Sequence, residues 1–281
     1  MSNLDHLLCP IDQQPLTRSG RSLVCLNNHS FDIAKSGYVN LLPVQNKHSK
    51  DPGDSKAMVS ARQDFLMSGL YDPILTGILE SMPTVLKQRI LFSMLDAGCG
   101  EGYYLNWLKR QSEHQIDAVG VDISKWAITA ASKKSKQIDW VVGSNAHLPM
   151  PDGRFDCVMC AFGFPVVSEF HRVLSDDGWL LLVESGERHL IELRKVLYPE
   201  IRPYQSTFAD GMGGFQLQFE SSVEFSFTLK TQQSIANLLS MTPHIHKAPY
   251  EGREAVLALE SIQLTGDVRL RWYRKQGKLE C

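Results

Sequence analysis

A chain of 281 residues, 43% hydrophobic and 21% charged with a formal net charge of −2, has room for one sizeable α/β core and a small appendage. No stretch approaches the ~18 uninterrupted apolar residues of a membrane span, and MSNLDHLLCPID lacks the basic and apolar segments of a secretion signal, so a cytoplasmic location is expected and no membrane partner. The near-neutral balance excludes a surface coated with nucleic-acid-binding charge, because phosphate contacts need a basic face.

From the N-terminus, residues 1–45 are polar and rich in Pro, Cys and His, with short candidate strands such as Ser22–Cys25, and read as a small separate module. NKHSKDPGDSK (46–56) joins charge to Pro-Gly, as in an exposed connector, and opens a second domain over residues 46–281. Met58, Ala61 and Phe65, then Ile74 and Ile78, recur at helical spacing and are interrupted near Gly69 and Pro73, which predicts two helices. Ile90–Leu95 reads as a buried strand leading to a glycine turn and a helix. DAVGVDIS, DWVVG, FDCVMCAF and GWLLLVES are further strands, separated by the helical KWAITAASKKS and a helix over Ser168–Leu174. Such alternation predicts an α/β fold, a doubly wound parallel sheet with helices on both faces. VEFSFTLK and VRLRWYR alternate apolar and polar residues and suit antiparallel strands closing that sheet. The six cysteines (Cys9, Cys25, Cys99, Cys157, Cys160 and Cys281) form no framework of close pairs, so no disulfides are expected.

The chemistry concentrates in Asp96-Ala97-Gly98-Cys99-Gly100-Glu101-Gly102, between a buried strand and a helix. Glycines there remove Cβ atoms where the backbone turns and a ligand comes close, at the carboxyl ends of strands where open α/β sheets bind ligands. Twenty residues after Gly102 the next strand ends in Asp122, whose carboxylate suits two ribose hydroxyls. A dinucleotide fingerprint needs a third glycine where Tyr103 stands, and the acidic Asp96 favours a ligand bearing ammonium and sulfonium over a pyrophosphate. S-adenosylmethionine is therefore the expected cofactor. Asn145, Ala146 and His147 follow the third strand, where adenine is contacted in such folds, although they equally suit a polar loop cap. Phe162-Gly163-Phe164-Pro165 ends the fourth strand, where aromatic faces suit a flat substrate as well as a core.

Cys9, Asp12, Cys25 and His29 have the spacing C-x-x-D…C-x-x-x-H, a zinc site if Asp12 supplies an oxygen. Structural zinc prefers thiolate and imidazole, and the alternative is two buried thiols with His29 capping a turn. HSFDIAKSGYVNLLPVQNKHSKDPGDS, MVSARQDFLMSGLYDPI, LDAGCGEGYY, ERHLIEL and LLSMTP, in that order, resemble the bacterial 23S rRNA guanine-N1 methyltransferase family, known as RlmA or RrmA. The resemblance implies a class I S-adenosylmethionine-dependent methyltransferase domain of Rossmann-like topology. It also implies a zinc-ribbon-like N-terminal module that helps grip a 23S rRNA hairpin, and a homodimer. By matching segment it implies cofactor contacts at Tyr71, Gly100, Glu101 and His189, and metal ligands at Cys9, Cys25 and His29, with Asp12 where the family carries cysteine. FGFPVVSEF also departs from the sequence of the relatives at that place.

A methyl sulfonium is already activated, so alignment carries most of the catalysis, and guanine N1 must leave its base pair and lose a proton. Asp54, Glu101, His171 and His189 are the candidate proton acceptors. The local basic runs are Lys47, His48 and Lys50; Lys133, Lys134 and Lys136; and Arg269, Arg271, Arg274 and Lys275, each also readable as a solvated surface. Rival functions are methylation of a small molecule and a non-catalytic role in RNA binding or ribosome assembly.

Overall fold

The computed structural model describes residues 3–43, 45, 51–112, 115–202, 204 and 212–277. Three short strands, β1 (Thr17–Ser19), β2 (Ser22–Val24) and β3 (Ser30–Asp32), form an antiparallel sheet in which Leu23 faces Arg18 on one side and Phe31 on the other. The next strand, β4 (Val39–Asn40), leaves that sheet and pairs parallel with the edge of the large one. Residues 39–40 thus tie the N-terminal module into the main sheet.

Three helices precede the core: α1 (Lys56–Leu66), α2 (Asp72–Ser81) and the single turn α3 (Thr84–Lys87). The α1 helix starts at Ser55, whose Oγ accepts the Met58 N–H, and α2 carries proline in its first turn, where the missing N–H costs nothing. Strand and helix then alternate through β5 (Leu91–Ala97), α4 (Tyr103–Gln111), β6 (Gln115–Asp122), α5 (Lys125–Lys134), β7 (Asp139–Val142), β8 (Phe155–Ala161), α6 (Val167–Val173), β9 (Leu174–Ser185) and α7 (Ile191–Leu197). A long strand β10 (Phe215–Leu229) leads to α8 (Gln232–Met241), α9 (His244–Lys247) and α10 (Tyr250–Leu257), and β11 (Ile262–Lys275) returns antiparallel between β10 and β9. The eight-stranded order is β10-β11-β9-β8-β5-β6-β7-β4, with β9 through β4 parallel. Chain order reverses at β5, between β6 and β8, and ligands of such sheets bind at that switch point.

Alternate residues of β5 serve two cores. Phe92 and Met94 face Ile74, Ile78, Leu105 and Leu108 of the helices, whereas Leu95 and Ala97 face the other side. That second side is covered by Phe170 of α6 and by Leu7, Leu16 and Leu23 of the N-terminal module. Each of these leucines is almost fully buried, which stabilises the folded chain by on the order of 1.5–3 kcal/mol apiece. The Leu8 N–H also donates to the Pro149 carbonyl (2.9 Å), bonding module to core through the main chain.

Candidate active site and metal centre

The strand β5 ends in a turn in which Gly98, Gly100 and Gly102 have φ of 90°, 55° and 76°, values that an L side chain rarely adopts. The turn is pinned to β6: the N–H groups of Gly98 and Cys99 both donate to the Val121 carbonyl, at 2.8 and 3.0 Å. Asp122 completes the junction, its Oδ2 accepting the Gly100 N–H (2.9 Å) and its Oδ1 the Ser124 N–H (2.7 Å). Each carboxylate oxygen keeps a further lone pair for a ligand. Above the turn there is space: a Cβ on Gly98 would meet nothing nearer than Asn145 Nδ2 at 3.7 Å.

Three acids, Asp96, Glu101 and Asp122, converge there. Both oxygens of Asp96 and Oε1 of Glu101 are buried without a hydrogen-bond partner. Burial, then the neighbouring Asp122 and Glu101, push the Asp96 carboxyl well above the usual carboxylate range. Burial also raises Asp122, against the pull of the Ser124 and Gly100 N–H groups, and raises Glu101 against the pull of Arg62. Orphaned carboxylates are costly unless a cation arrives, so the pocket fits a ligand that brings positive charge. A sulfonium and an ammonium supply it. The residues present therefore fit S-adenosylmethionine.

Of the remaining expected contacts, Asn145 stands beside Gly98 and donates to the Phe164 carbonyl (3.4 Å), while the Ala146 N–H donates to Ser144 Oγ (3.2 Å) within its own loop. Tyr71 and His189 meet across 118 positions of chain, with Oη and Nε2 3.3 Å apart. The Asp267 N–H points at His189 Nδ1 (3.3 Å), so the neutral ring carries its proton on Nε2 and donates it to Tyr71. Burial holds the imidazole neutral, lowering its pKa to about 4. Tyr104, which the sequence reading did not single out, is buried beside them, its ring 5.2 Å from that of Tyr103 and 6.3 Å from that of Phe162, and burial first, then its charged neighbours, push its hydroxyl well above the usual range.

Phe162 stands at the end of β8 with a φ of 52°, a strained value for a large side chain. Its ring lies 5.9 Å from His189 at 31° and 6.3 Å from Tyr104 at 41°. Phe164 is 89% exposed, two residues further along the same mouth. A flat apolar seat thus opens beside the acidic turn.

Two of the four expected proton acceptors are otherwise engaged, and a third is misplaced. Asp54 forms an ion pair with Arg62. The nitrogens of His189 are both occupied. His171 is a correction: it precedes β9, whose first residue pairs with the first of β8, so it lies at the amino ends of the strands, opposite the pocket. There its Nε2 donates to the Gln276 carbonyl (3.0 Å). Glu101 is the acceptor that keeps a buried oxygen without a partner.

The N-terminal cluster is built on two tight turns. Gln13 at φ 59° closes the turn that carries Cys9 and Asp12, and Asn28 at φ 62° closes the one that carries Cys25 and His29. Cys9 Sγ and Cys25 Sγ each lie 3.4 Å from His29 Nδ1, Cys25 Sγ lies 3.5 Å from Asp12 Oδ2, and Asp12 Oδ2 lies 3.1 Å from His29 Nδ1. Tetrahedral zinc with bonds of about 2.0–2.3 Å has ligand-to-ligand edges of roughly 3.3–3.8 Å. The donor set fits that ion. The five cysteines among the described residues are free thiols.

The basic runs fare unevenly. Lys47, His48 and Lys50 lie outside the described residues. Lys136 donates to the Ser132 carbonyl at 2.8 Å and to the Ser36 carbonyl. Arg269 pairs with Glu220 (2.8 Å), Arg271 with Glu220 and Glu184 (2.7 and 2.9 Å), and Arg274 with Asp177. No helix among the described residues is long and apolar enough to cross a membrane.

A reversed strand order, a three-glycine turn and a ribose-type acid on the neighbouring strand define a class I S-adenosylmethionine-dependent methyltransferase domain, and a methyltransferase-domain family model matches residues 95–182. A methyltransferase of Haloferax volcanii, solved with the activator Trm112, shares this fold at 19% identity and a TM-score of 0.50, over 79% of this chain and 96% of its own. The zinc-ribbon model described as RlmA, N-terminal, matches residues 7–50. Bacillus subtilis YxjB, named provisionally as a 23S rRNA (guanine-N(1)-)-methyltransferase, is 33% identical over 92% of this chain and 94% of its own. The 23S rRNA (guanine(748)-N(1))-methyltransferase of Streptomyces fradiae is 34% identical over 67% of this chain and 66% of its own. The chain belongs to this 23S rRNA (guanine-N1)-methyltransferase family, with a zinc-ribbon domain ahead of the catalytic one.

Proposed function

We propose that this protein methylates N1 of a guanine in a hairpin of 23S rRNA. The observation that carries the reading is a likeness running through ribbon and methyltransferase domain together, over 94% of the Bacillus subtilis relative. A small-molecule methyltransferase has no need of the ribbon docked on its sheet. The homodimer rests on the family resemblance alone.

When bound, the cofactor supplies a methyl group activated on a sulfonium. The chain's residues do the rest. Asp122, with one lone pair free on each oxygen, takes the ribose hydroxyls, and Asp96 and Glu101 face the positive groups. Gly98, Gly100 and Gly102 would let the ligand lie against bare main chain, and Asn145 with Ala146, in the loop beside Gly98, would border its adenine. Tyr71, fixed by His189, would meet the cofactor as the family resemblance implies. Phe162 and Phe164 take the faces of a guanine that has left its stack, since N1 is inaccessible in a base pair. The N1–H bond must break as the new N1–C bond forms, and of the four acceptors expected from the sequence Glu101 is the one that keeps an oxygen without a partner. Cys9, Asp12, Cys25 and His29 would hold zinc, which would fix the ribbon that grips the hairpin.

The test is incorporation of labelled methyl into 23S rRNA lacking the modification, with the nucleotide mapped by primer extension. A stop at one guanine of a hairpin is expected. Label confined to small molecules overturns the reading.

A further inference from the structure

The segment DPGDS, which joins the ribbon to α1, lies on the cofactor pocket. Gly53, at φ 79°, packs so closely on the end of β6 that a Cβ there would sit 2.8 Å from Ile123 Cγ2 and 3.0 Å from the Ser124 backbone. Ser124 Oγ donates to the Asp54 carbonyl (2.7 Å), fastening this strap to the residue whose N–H already holds Asp122. Asp54 in turn forms an ion pair with Arg62 of α1. Arg62 Nη1 reaches to 3.5 Å from where a Cβ on Gly100 would stand, so a guanidinium faces the glycine turn itself.

The charges around that turn are unequal. Asp54, Asp96, Glu101 and Asp122 are acids. Burial opposes the Arg62 charge, but Asp54, Glu101 and Asp122 outweigh it and hold the guanidinium firmly protonated. Lys134 acts on Glu101 from the last turn of α5. A cofactor ending in an amino acid brings two cationic groups, which the acids can accept, and one carboxylate, which they repel. A carboxylate needs a fixed donor, and a guanidinium is the side chain whose paired N–H groups match it.

We propose that Arg62 is a cofactor-binding residue that receives the α-carboxylate of S-adenosylmethionine, carried to the turn by α1 and the strap over β6. The proposal rests on the methyltransferase reading but not on the identity of the RNA. It also gives the ribbon a physical connection to the cofactor, because the strap is the next segment of chain after it.

Calorimetry with the full-length protein decides the matter, using S-adenosylmethionine and its decarboxylated analogue as the two ligands. Wild-type protein is expected to prefer the intact cofactor. In Arg62→Met, affinity for the intact cofactor falls on the order of ten- to a hundredfold, as for loss of a charged hydrogen-bonded pair, while affinity for the analogue changes by less than about threefold. Equal losses for both ligands, or no loss for either, overturn the proposal. Thermal melting checks that the variant folds; if Arg62→Met does not, Arg62→Gln supplies the same ratio, and an unchanged preference for the intact cofactor in that variant is equally fatal. Wild-type protein that binds neither ligand instead removes the methyltransferase reading beneath the proposal.

Discussion

The metal cluster and the cofactor pocket are both built from acids and other polar groups brought together by turns, yet they treat those groups in opposite ways. In the cluster every ligand has company: Asp12 alone accepts the Gln14 N–H (3.1 Å) and the Asn27 amide (2.7 Å) besides approaching Cys25 and His29. In the pocket Asp96 has no partner on either oxygen. A site whose groups satisfy one another is shaped to stay shut around one ion. A site that leaves charge unsatisfied stores a bias toward whatever neutralises it. The first arrangement suits a structural role and the second a cofactor that comes and goes.

The sharpest test of that contrast is Asp122→Asn. An amide cannot accept from both the Gly100 and Ser124 N–H groups with its two ends, so one main-chain donor would face an NH2 group, and the ribose would lose its anionic acceptor. Cofactor affinity measured by calorimetry is expected to drop roughly a hundredfold, near 3 kcal/mol. A change below about threefold would mean that the open acid does not hold the ligand.

A comparable effect resides in His189. Folded, the ring takes its proton near pH 4 because it is buried; unfolded, near pH 6.5. Between these values the unfolded chain binds more protons, so this contribution to stability is whole above about pH 6.5 and is lost as pH falls toward 4, amounting to roughly 3 kcal/mol. The raised carboxyls of Asp96 and Asp122 work in the other direction, favouring the fold at low pH relative to high. Comparing urea unfolding of wild type and His189→Gln at pH 7.5 and 4.5 isolates the ring. The glutamine variant should lose less stability on acidification, and an identical loss would show that the ring is not held neutral.

A smaller effect separates the two regions directly. Cys25→Ser removes one donor from the cluster and a chelator takes the ion it would hold; with either, rRNA methylation is expected to fall about tenfold while cofactor affinity moves less than about threefold. Cofactor affinity falling in step would join the two regions into one unit. Deleting residues 1–45 is a poorer experiment, since it also removes Val39 and Asn40 from the sheet edge and Leu7, Leu16 and Leu23 from its face.

What could be read from the sequence was what is local in the chain. The turn from Asp96 to Gly102 and the acid at Asp122 belong to adjoining strand ends, and each half of the candidate metal cluster, Cys9 with Asp12 and Cys25 with His29, sits within five residues. Helices α8 to α10 went unread, because their apolar residues are divided among three short segments. A two-residue strand such as β4 has no period to detect. Arg62 was hidden in a helix that reads as packing, and Tyr104 in one that reads as a core face. Tyr71 and His189 were named only through family resemblance, each as a cofactor contact, and their contact with one another went unread, since nothing in spacing joins residues so far apart. His171 shows the converse error: a histidine near a strand is a candidate base only when it stands at the carboxyl end.

The smallest expected effect comes from the run Arg269, Arg271, Arg274 and Lys275, which by sequence is the most basic stretch of the chain's second half. Density of charge in sequence is not density of free charge in space. Arg269 and Arg271 share Glu220, Arg274 pairs with an exposed Asp177 while lying over the Trp179 ring at 5.2 Å, and Lys275 donates to the Leu174 carbonyl at 2.6 Å. An RNA phosphate would have to displace an acid already in place. The solvent-facing pairs of Arg269 and Arg274 stabilise the protein by at most about 1 kcal/mol each and offer an incoming anion little net potential. Arg269→Gln and Arg274→Gln should therefore leave rRNA affinity within about twofold and the slope of affinity against salt unchanged, where a true phosphate contact would lower that slope by about one. A lowered slope would put this strand in the RNA interface, and the division of labour between ribbon and catalytic domain would have to be redrawn around the antiparallel edge of the sheet.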